Sequence, residues 1–224
     1  MPDPTYTDIT MLLDRSGSMQ SIKTDIEGGF DAFMAEQRKQ PGTCRVSLSQ
    51  FDTEYESVYT AKDLADVPPL DLCPRDATAL LDAIGQAVRD TQARLGAMPE
   101  AERPGAVIVG IMTDGLENSS REMTYPAVKA LIEAQETRHG WIFTYLGANQ
   151  DAIEEGARLG IDHARAMTFV DTQGASALGG LSGVTSRVRS AVAEGAAPPV
   201  VLDAGRFTDE DRAAALGMTP PDAE

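Results

Sequence analysis

A chain of 224 residues is long enough for one domain with a substantial core and short for two. Its 42% apolar and 24% charged residues are an ordinary balance for a soluble globular protein. The net charge of −16 sets it against nucleic acid and anionic membranes, and reads as a means of solubility rather than as an acidic binding surface.

No stretch is apolar for long enough to span a bilayer. Met1-Pro2-Asp3-Pro4 offers neither a basic region nor an apolar signal core, so the expectation is a cytoplasmic, monomeric protein. Cys44 and Cys73 have no metal-site spacing and are expected to be free thiols. His139 and His163 are isolated and fall at the ends of elements. No Ser-His-Asp or Cys-His system is legible.

In chain order, Asp8 to Leu13 reads as a first strand and Met19 to Lys39 as a helix, with Ile22, Ile26, Phe30 and Phe33 on one face. Ser18 is placed to cap that helix. Gly28-Gly29 inside it lowers propensity and permits close packing on a sheet. Val46 to Phe51 and Tyr55 to Tyr59, parted by Asp52-Thr53-Glu54, predict a hairpin and hence an antiparallel edge strand. Asp66 to Arg75 reads as loop. Leu80, Leu81, Ile84, Val88 and Leu95 mark a second helix. Ala106 to Met112 is a continuous apolar run, as in a central strand covered on both faces. A helix from about Tyr125 to Arg138, a strand from Trp141 to Leu146, a short helix from Gln150 to Leu159, a strand from Ala166 to Val170 and a helix from Ser176 to Ala193 follow. This alternation predicts a three-layer, doubly wound, Rossmann-like α/β fold whose sheet is mostly parallel with one antiparallel edge strand. The domain is read as residues 5–195. An Ala/Pro-rich and acidic extension, 196–224, follows, with one short helix over 209–216 capped by Thr208 and a loose tail from Met218.

The candidate site begins at Asp14-Arg15-Ser16-Gly17-Ser18, on the turn leaving the first strand. A carboxylate and two hydroxyls at alternate positions can aim three oxygens at one point, a donor set suited to a hard cation such as Mg2+. In doubly wound folds the ligand crevice lies at the carboxyl ends of the strands. Thr113-Asp114-Gly115 directly follows the central strand, and Asp76-Ala77-Thr78-Ala79 directly precedes the second helix. Asp14, Ser16, Ser18, Thr78 and Asp114 thus come from three loops that such a fold brings together. All five offer oxygen, which argues against zinc or copper. Taken singly, each could be a turn or cap residue; the three loops together favour ligation. Glu117 and Asn118 share the rim, as partner-selecting residues or as plain loop polarity. Asp82 reads as a solvated helix position.

Asp-x-Ser-x-Ser after a first strand, a loop threonine before a helix and Thr-Asp-Gly after a central strand resemble the pattern of von Willebrand factor A (vWA) domains. The resemblance covers Asp8 to about Val170, and Leu146-Gly147-Ala148-Asn149-Gln150-Asp151 is similar to bacterial stand-alone members. It implies a metal-ion-dependent adhesion site (MIDAS). Ser16, Ser18 and Thr78 would be direct ligands, and Asp14 and Asp114 ligands directly or through water. Mg2+ would be the cation, with Mn2+ or Ca2+ as substitutes. It further implies a binding module rather than an enzyme, whose partner protein offers an Asp or Glu to the metal, such as an ATPase or a stress- or resistance-cluster protein. The alternative is a Mg2+-dependent hydrolase or phosphoryl-transfer enzyme. Against it stand the lack of a phosphate-binding Gly-rich loop, a serine at position 16 where a second aspartate would be wanted, and no lysine or histidine in the three loops.

Overall fold

The computed structural model describes residues 1–218; residues 219–224, most of the tail expected to be loose, lie outside the described residues. Six strands form one sheet: β1 (Asp3–Asp14), β2 (Thr43–Phe51), β3 (Tyr55–Asp63), β4 (Pro104–Thr113), β5 (Ile142–Ala148) and β6 (Ala166–Phe169), in the order β3-β2-β1-β4-β5-β6. Every pairing is parallel except β2 with β3. The hairpin and its antiparallel edge are as predicted, and the parallel remainder follows from helical crossovers.

Alternation along the central strands sorts their side chains to two faces. Ile9, Met11 and Leu13 of β1 join one apolar cluster with α1 (Lys23–Arg38) and α5 (Gly174–Ala193). Leu12, with Val109 and Ile111 of β4, joins the other, under α2 (Leu80–Gly96), α3 (Tyr125–His139) and α4 (Ala152–Leu159). The result is three layers. Chain order reverses between β1 and β4, which pair in register from Thr7↔Ala106 to Leu13↔Met112, so the ends of these two strands flank the switch point.

Three local details differ from the expectation. First, α1 begins at Lys23, behind a 3-10 turn over Gly17–Ser21, and has Ile22 at its N-cap position. Ser18 is not its cap, because its hydroxyl donates to Asp114 instead. Second, Gly29 packs against α5 and not the sheet: a Cβ there would stand 2.7 Å from Ala175 Cα and 3.0 Å from Leu178 Cδ1, whereas one at Gly28 would meet nothing within 4 Å. Gly28→Ala should therefore stabilise the protein by about 1 kcal/mol through helix propensity. Gly29→Ala should cost about 1–3 kcal/mol through overpacking. Urea unfolding of the pair checks this, and equal shifts would refute the packing account. Third, the extension carries a helix that the sequence did not suggest, α6 (Pro198–Ala204), before α7 (Asp209–Ala215).

The α7 start is closed by a capping box in which Thr208 Oγ1 accepts from the Asp211 N–H at 3.1 Å and Asp211 accepts from the Thr208 N–H at 2.9 Å. Phe207 and Ala215 are buried in the cluster under α5. The Arg212 guanidinium donates to the carbonyls of Ala166, His163 and Ala164, clasping β6. On the opposite edge, β3 pairs with β2 through two register shifts, at Val46/Leu48 and Leu48/Ser49, and Ala61 takes φ +46°. Cys44 is buried and Cys73 exposed, both as free thiols, and burial pushes the Cys44 thiol up to about 11. Among the described residues no helix is long and apolar enough to cross a membrane.

Candidate metal centre

β1 ends at Asp14, whose carboxylate is wholly buried at the switch point. The turn that follows folds back, so the Ser16 N–H donates to Asp14 Oδ1 at 2.6 Å. The Thr113 hydroxyl, at the end of β4, lies 2.5 Å from Asp14 Oδ2 and accepts from the Gly115 N–H at 3.1 Å. This seats the neighbouring Asp114 beside the serines. Ser18 Oγ donates to Asp114 Oδ1 at 2.7 Å, and Ser16 Oγ lies 3.2 Å from Ser18 Oγ and 3.5 Å from Asp114 Oδ1. Thr78 completes the group from the third loop. A Cβ at Gly115 would stand 3.1 Å from Thr78 Oγ1 and 3.9 Å from Asp14 Oδ2, so the glycine leaves open the space between those two oxygens. All five sequence-selected residues thus meet in one crevice.

The loops are held by groups that sequence reasoning did not single out. Arg15, at the variable position of the motif, is buried. Its Nε donates to Asp52 Oδ2 at 2.8 Å and its Nη1 pairs with Glu56. Arg75 Nε donates to the same Asp52 oxygen at 2.7 Å, and the Arg75 N–H donates to the Arg15 carbonyl at 2.8 Å. Asp52 is wholly buried, and its own carbonyl accepts from the Ala79 N–H. It therefore ties the first loop to the Thr78 loop. Burial raises the Asp52 pKa, but hydrogen bonds from Arg75, from the Glu54 N–H and from Arg15 outweigh it and hold the carboxyl below its usual range. The short gap Asp52-Thr53-Glu54 signalled a turn, and nothing local to it signalled a partner 37 residues away.

Asn118, on the loop after β4, and Thr78 exchange two bonds: Asn118 Oδ1 accepts from the Thr78 N–H at 3.0 Å and the Thr78 carbonyl accepts from the Asn118 N–H at 3.1 Å. Backbone pairing leaves the threonine hydroxyl to the crevice. Glu117 accepts from the Leu81 N–H at 2.9 Å, in the first turn of α2. Asp82 is not the solvated helix residue expected from its spacing: its carboxylate accepts from the N–H groups of Arg121, Glu122 and Met123. Two acidic side chains and one amide on or near the rim thus serve loop architecture.

Desolvation dominates the electrostatics. Burial pushes the Asp14 carboxyl up to about 6, against the hydrogen bonds from Thr113 and Ser16 and with help from the Asp114 charge. Burial likewise raises Asp114, partly offset by Ser18. Among the described residues neither carboxylate has a Lys, Arg or His within ion-pair distance, since Arg15 and Arg75 are turned to Asp52. No three His, Cys, Asp or Glu side chains are grouped so as to hold a metal ion among the described residues; this crevice instead combines two carboxylates with three hydroxyls. Hard divalent cations take such an all-oxygen set, and a double positive charge would offset two carboxylates that lack a counter-charge.

No protein-family model and no curated protein matches this sequence. Solved structures do match its fold. The von Willebrand factor type A protein from Catenulispora acidiphila superposes with a TM-score of 0.54 at 15% identity, over 82% of this chain and 43% of that one. The vWF domain of the type V pili tip protein Mfa5 from Porphyromonas gingivalis gives 0.56 at 13% identity, over 80% of this chain and 94% of that one. Proximal thread matrix protein 1 from the mussel byssus, in a structure with a zinc-occupied MIDAS motif, gives 0.53 at 17% identity, over 86% and 46%. This chain therefore spans less than half the length of two of these three. The fold is that of vWA domains.

Proposed function

We propose that this chain is a non-catalytic, divalent-cation-dependent protein-binding module. The observation that carries the reading is the meeting of Asp14, Ser16, Ser18, Thr78 and Asp114 from three loops at the switch point, with no basic partner for either carboxylate among the described residues. Ser16, Ser18 and Thr78 would hold Mg2+ through hydroxyls, and Asp14 and Asp114 directly or through water. The cation would supply an electrophilic anchor for an Asp or Glu of a partner protein. The mussel protein's zinc-occupied MIDAS motif supports a divalent ion on this fold. Leu116, two residues after Asp114 and 56% exposed, would offer the partner an apolar contact. The turning of Arg15 and Arg75 toward Asp52 supports binding over phosphoryl transfer, because it leaves the crevice without a cationic side chain for a transferring group.

Calorimetric titration with Mg2+ and with Mn2+ tests the site. Asp14→Ala combined with Asp114→Ala should weaken binding more than about ten-fold; equal binding by wild type and variant would refute it. Partner capture with and without EDTA tests the role, and capture indifferent to chelation would refute metal-mediated binding.

A further inference from the structure

β1 and β4 end side by side: Leu13 pairs with Met112, so Asp14 and Thr113 are the next residues of two bonded strands. Thr113 also pairs with Gly147 of β5, and it is wholly buried, as Asp14 is. The Thr113 hydroxyl has one proton and two acceptors in reach, Asp14 Oδ2 at 2.5 Å and the Gly115 carbonyl at 3.0 Å. The nearer carboxylate takes the proton, because a charged acceptor makes the stronger bond. The Gly115 N–H donates into the same hydroxyl oxygen at 3.1 Å, which polarises the O–H further toward Asp14. A two-bond chain thus runs from the peptide joining Asp114 to Gly115, through Thr113, to the Asp14 carboxylate.

That chain ties together the two segments that carry the carboxylates of the crevice. Neither carboxylate has a basic side chain within ion-pair distance among the described residues, so their like charges repel. Thr113 opposes the repulsion from the end of a central strand. The Ser16 N–H holds the other Asp14 oxygen at 2.6 Å, so both oxygens are pinned. Mg2+ demands a near-octahedral shell at about 2.0–2.1 Å, whereas Ca2+ spreads about six to eight oxygens flexibly at about 2.3–2.6 Å. A pinned, buried carboxylate suits the first ion and resists the expansion that the second requires.

We propose, on the basis of the metal reading, that Thr113 is a positioning residue for the cation: by locking Asp14 to the Asp114–Gly115 peptide it keeps the centre compact and sets a preference for Mg2+ over Ca2+.

Displacement of Mn2+, followed through the paramagnetic resonance signal of the free ion, gives Mg2+ and Ca2+ affinities for the wild type, Thr113→Val and Thr113→Ser. Valine keeps the shape and removes the hydroxyl; serine keeps the hydroxyl. The wild type should bind Mg2+ at least about ten-fold more tightly than Ca2+. Thr113→Val should lose about ten-fold in Mg2+ affinity and less in Ca2+ affinity, so that the ratio of the two falls. Thr113→Ser should restore the ratio. A merely structural loss, followed by urea unfolding in EDTA, would weaken both ions alike; an unchanged ratio in Thr113→Val therefore overturns the proposal, as does a serine variant that behaves like the valine one. A wild type that binds Ca2+ as tightly as Mg2+ overturns it without recourse to any variant. A wild type that binds none of the three ions overturns the metal reading, and this proposal with it.

Discussion

Metal-free protein should lose stability relative to its Asp14→Asn variant as pH rises from about 4 to about 7. The Asp14 carboxyl titrates near 6 in the folded chain, above its ordinary 3.8, because burial disfavours the charged form. Between these values the folded state keeps a proton that the unfolded state has released. The contribution to stability is therefore present below the unfolded value and is lost as pH rises through the folded one. Its size is on the order of 3 kcal/mol, since a tenfold change in proton affinity is worth about 1.36 kcal/mol. Asparagine at position 14 has no proton to lose, so the difference between the two unfolding curves isolates this group from the other carboxylates. A saturating divalent cation should reverse the ranking at neutral pH, since the wild type alone would offer the charged ligand. Urea unfolding in EDTA and in excess Mg2+ checks both arms, and parallel curves for the two proteins would defeat the account.

Asp52→Ala should cost about 3–5 kcal/mol, the range for stripping one partner from a buried ion pair. Arg15, 5% exposed, would keep its charge in the interior without Asp52. Arg75 is half-exposed and would lose less. The loss should not stay local. The Arg75 side chain and the Asp52 carboxylate hold the start of the loop that delivers Thr78, so cation affinity should fall with stability. Replacing the pair together, with Arg15→Met and Asp52→Leu, should recover much of the stability, because an apolar pair carries no desolvation penalty. A loss under about 1 kcal/mol for Asp52→Ala would mean that the triad behaves as a surface ion pair.

The layers and strand directions were legible because the signals behind them are local and periodic. Ala106 to Met112 is apolar throughout since both faces of β4 are covered, and the separation of Phe51 from Tyr55 leaves room only for a hairpin. The five crevice residues were legible because each stands directly beyond an apolar run or before a helix, where topology alone brings them near one another. What supports them was hidden, since it rests on partners far apart in sequence. Arg15 with Asp52, Thr113 with Asp14 and Asp82 with the backbone of 121–123 are separated by 37 to 99 residues. The capping half of the Ser18 reading failed for the same reason: a hydroxyl at a helix start suggests a cap, while its partner, Asp114, lies 96 residues on. In α6, Pro-Pro at the first turn and the apolar residues after it, Val200 and Leu202 half-exposed among them, gave too short a period to separate helix from linker.

The two register shifts in β3 bear on solubility by a route separate from charge. A long outer strand is ordinarily a template onto which a second chain can add its own backbone and seed aggregates. Here the doubled irregularity, with Ala61 in left-handed backbone and Lys62 and Asp63 beside it, bends that template out of the straight ladder a newcomer would need. At the far margin the strand has only four residues, and the Arg212 clasp already occupies its Ala166 carbonyl. The sheet thus discourages unplanned pairing along both of its margins.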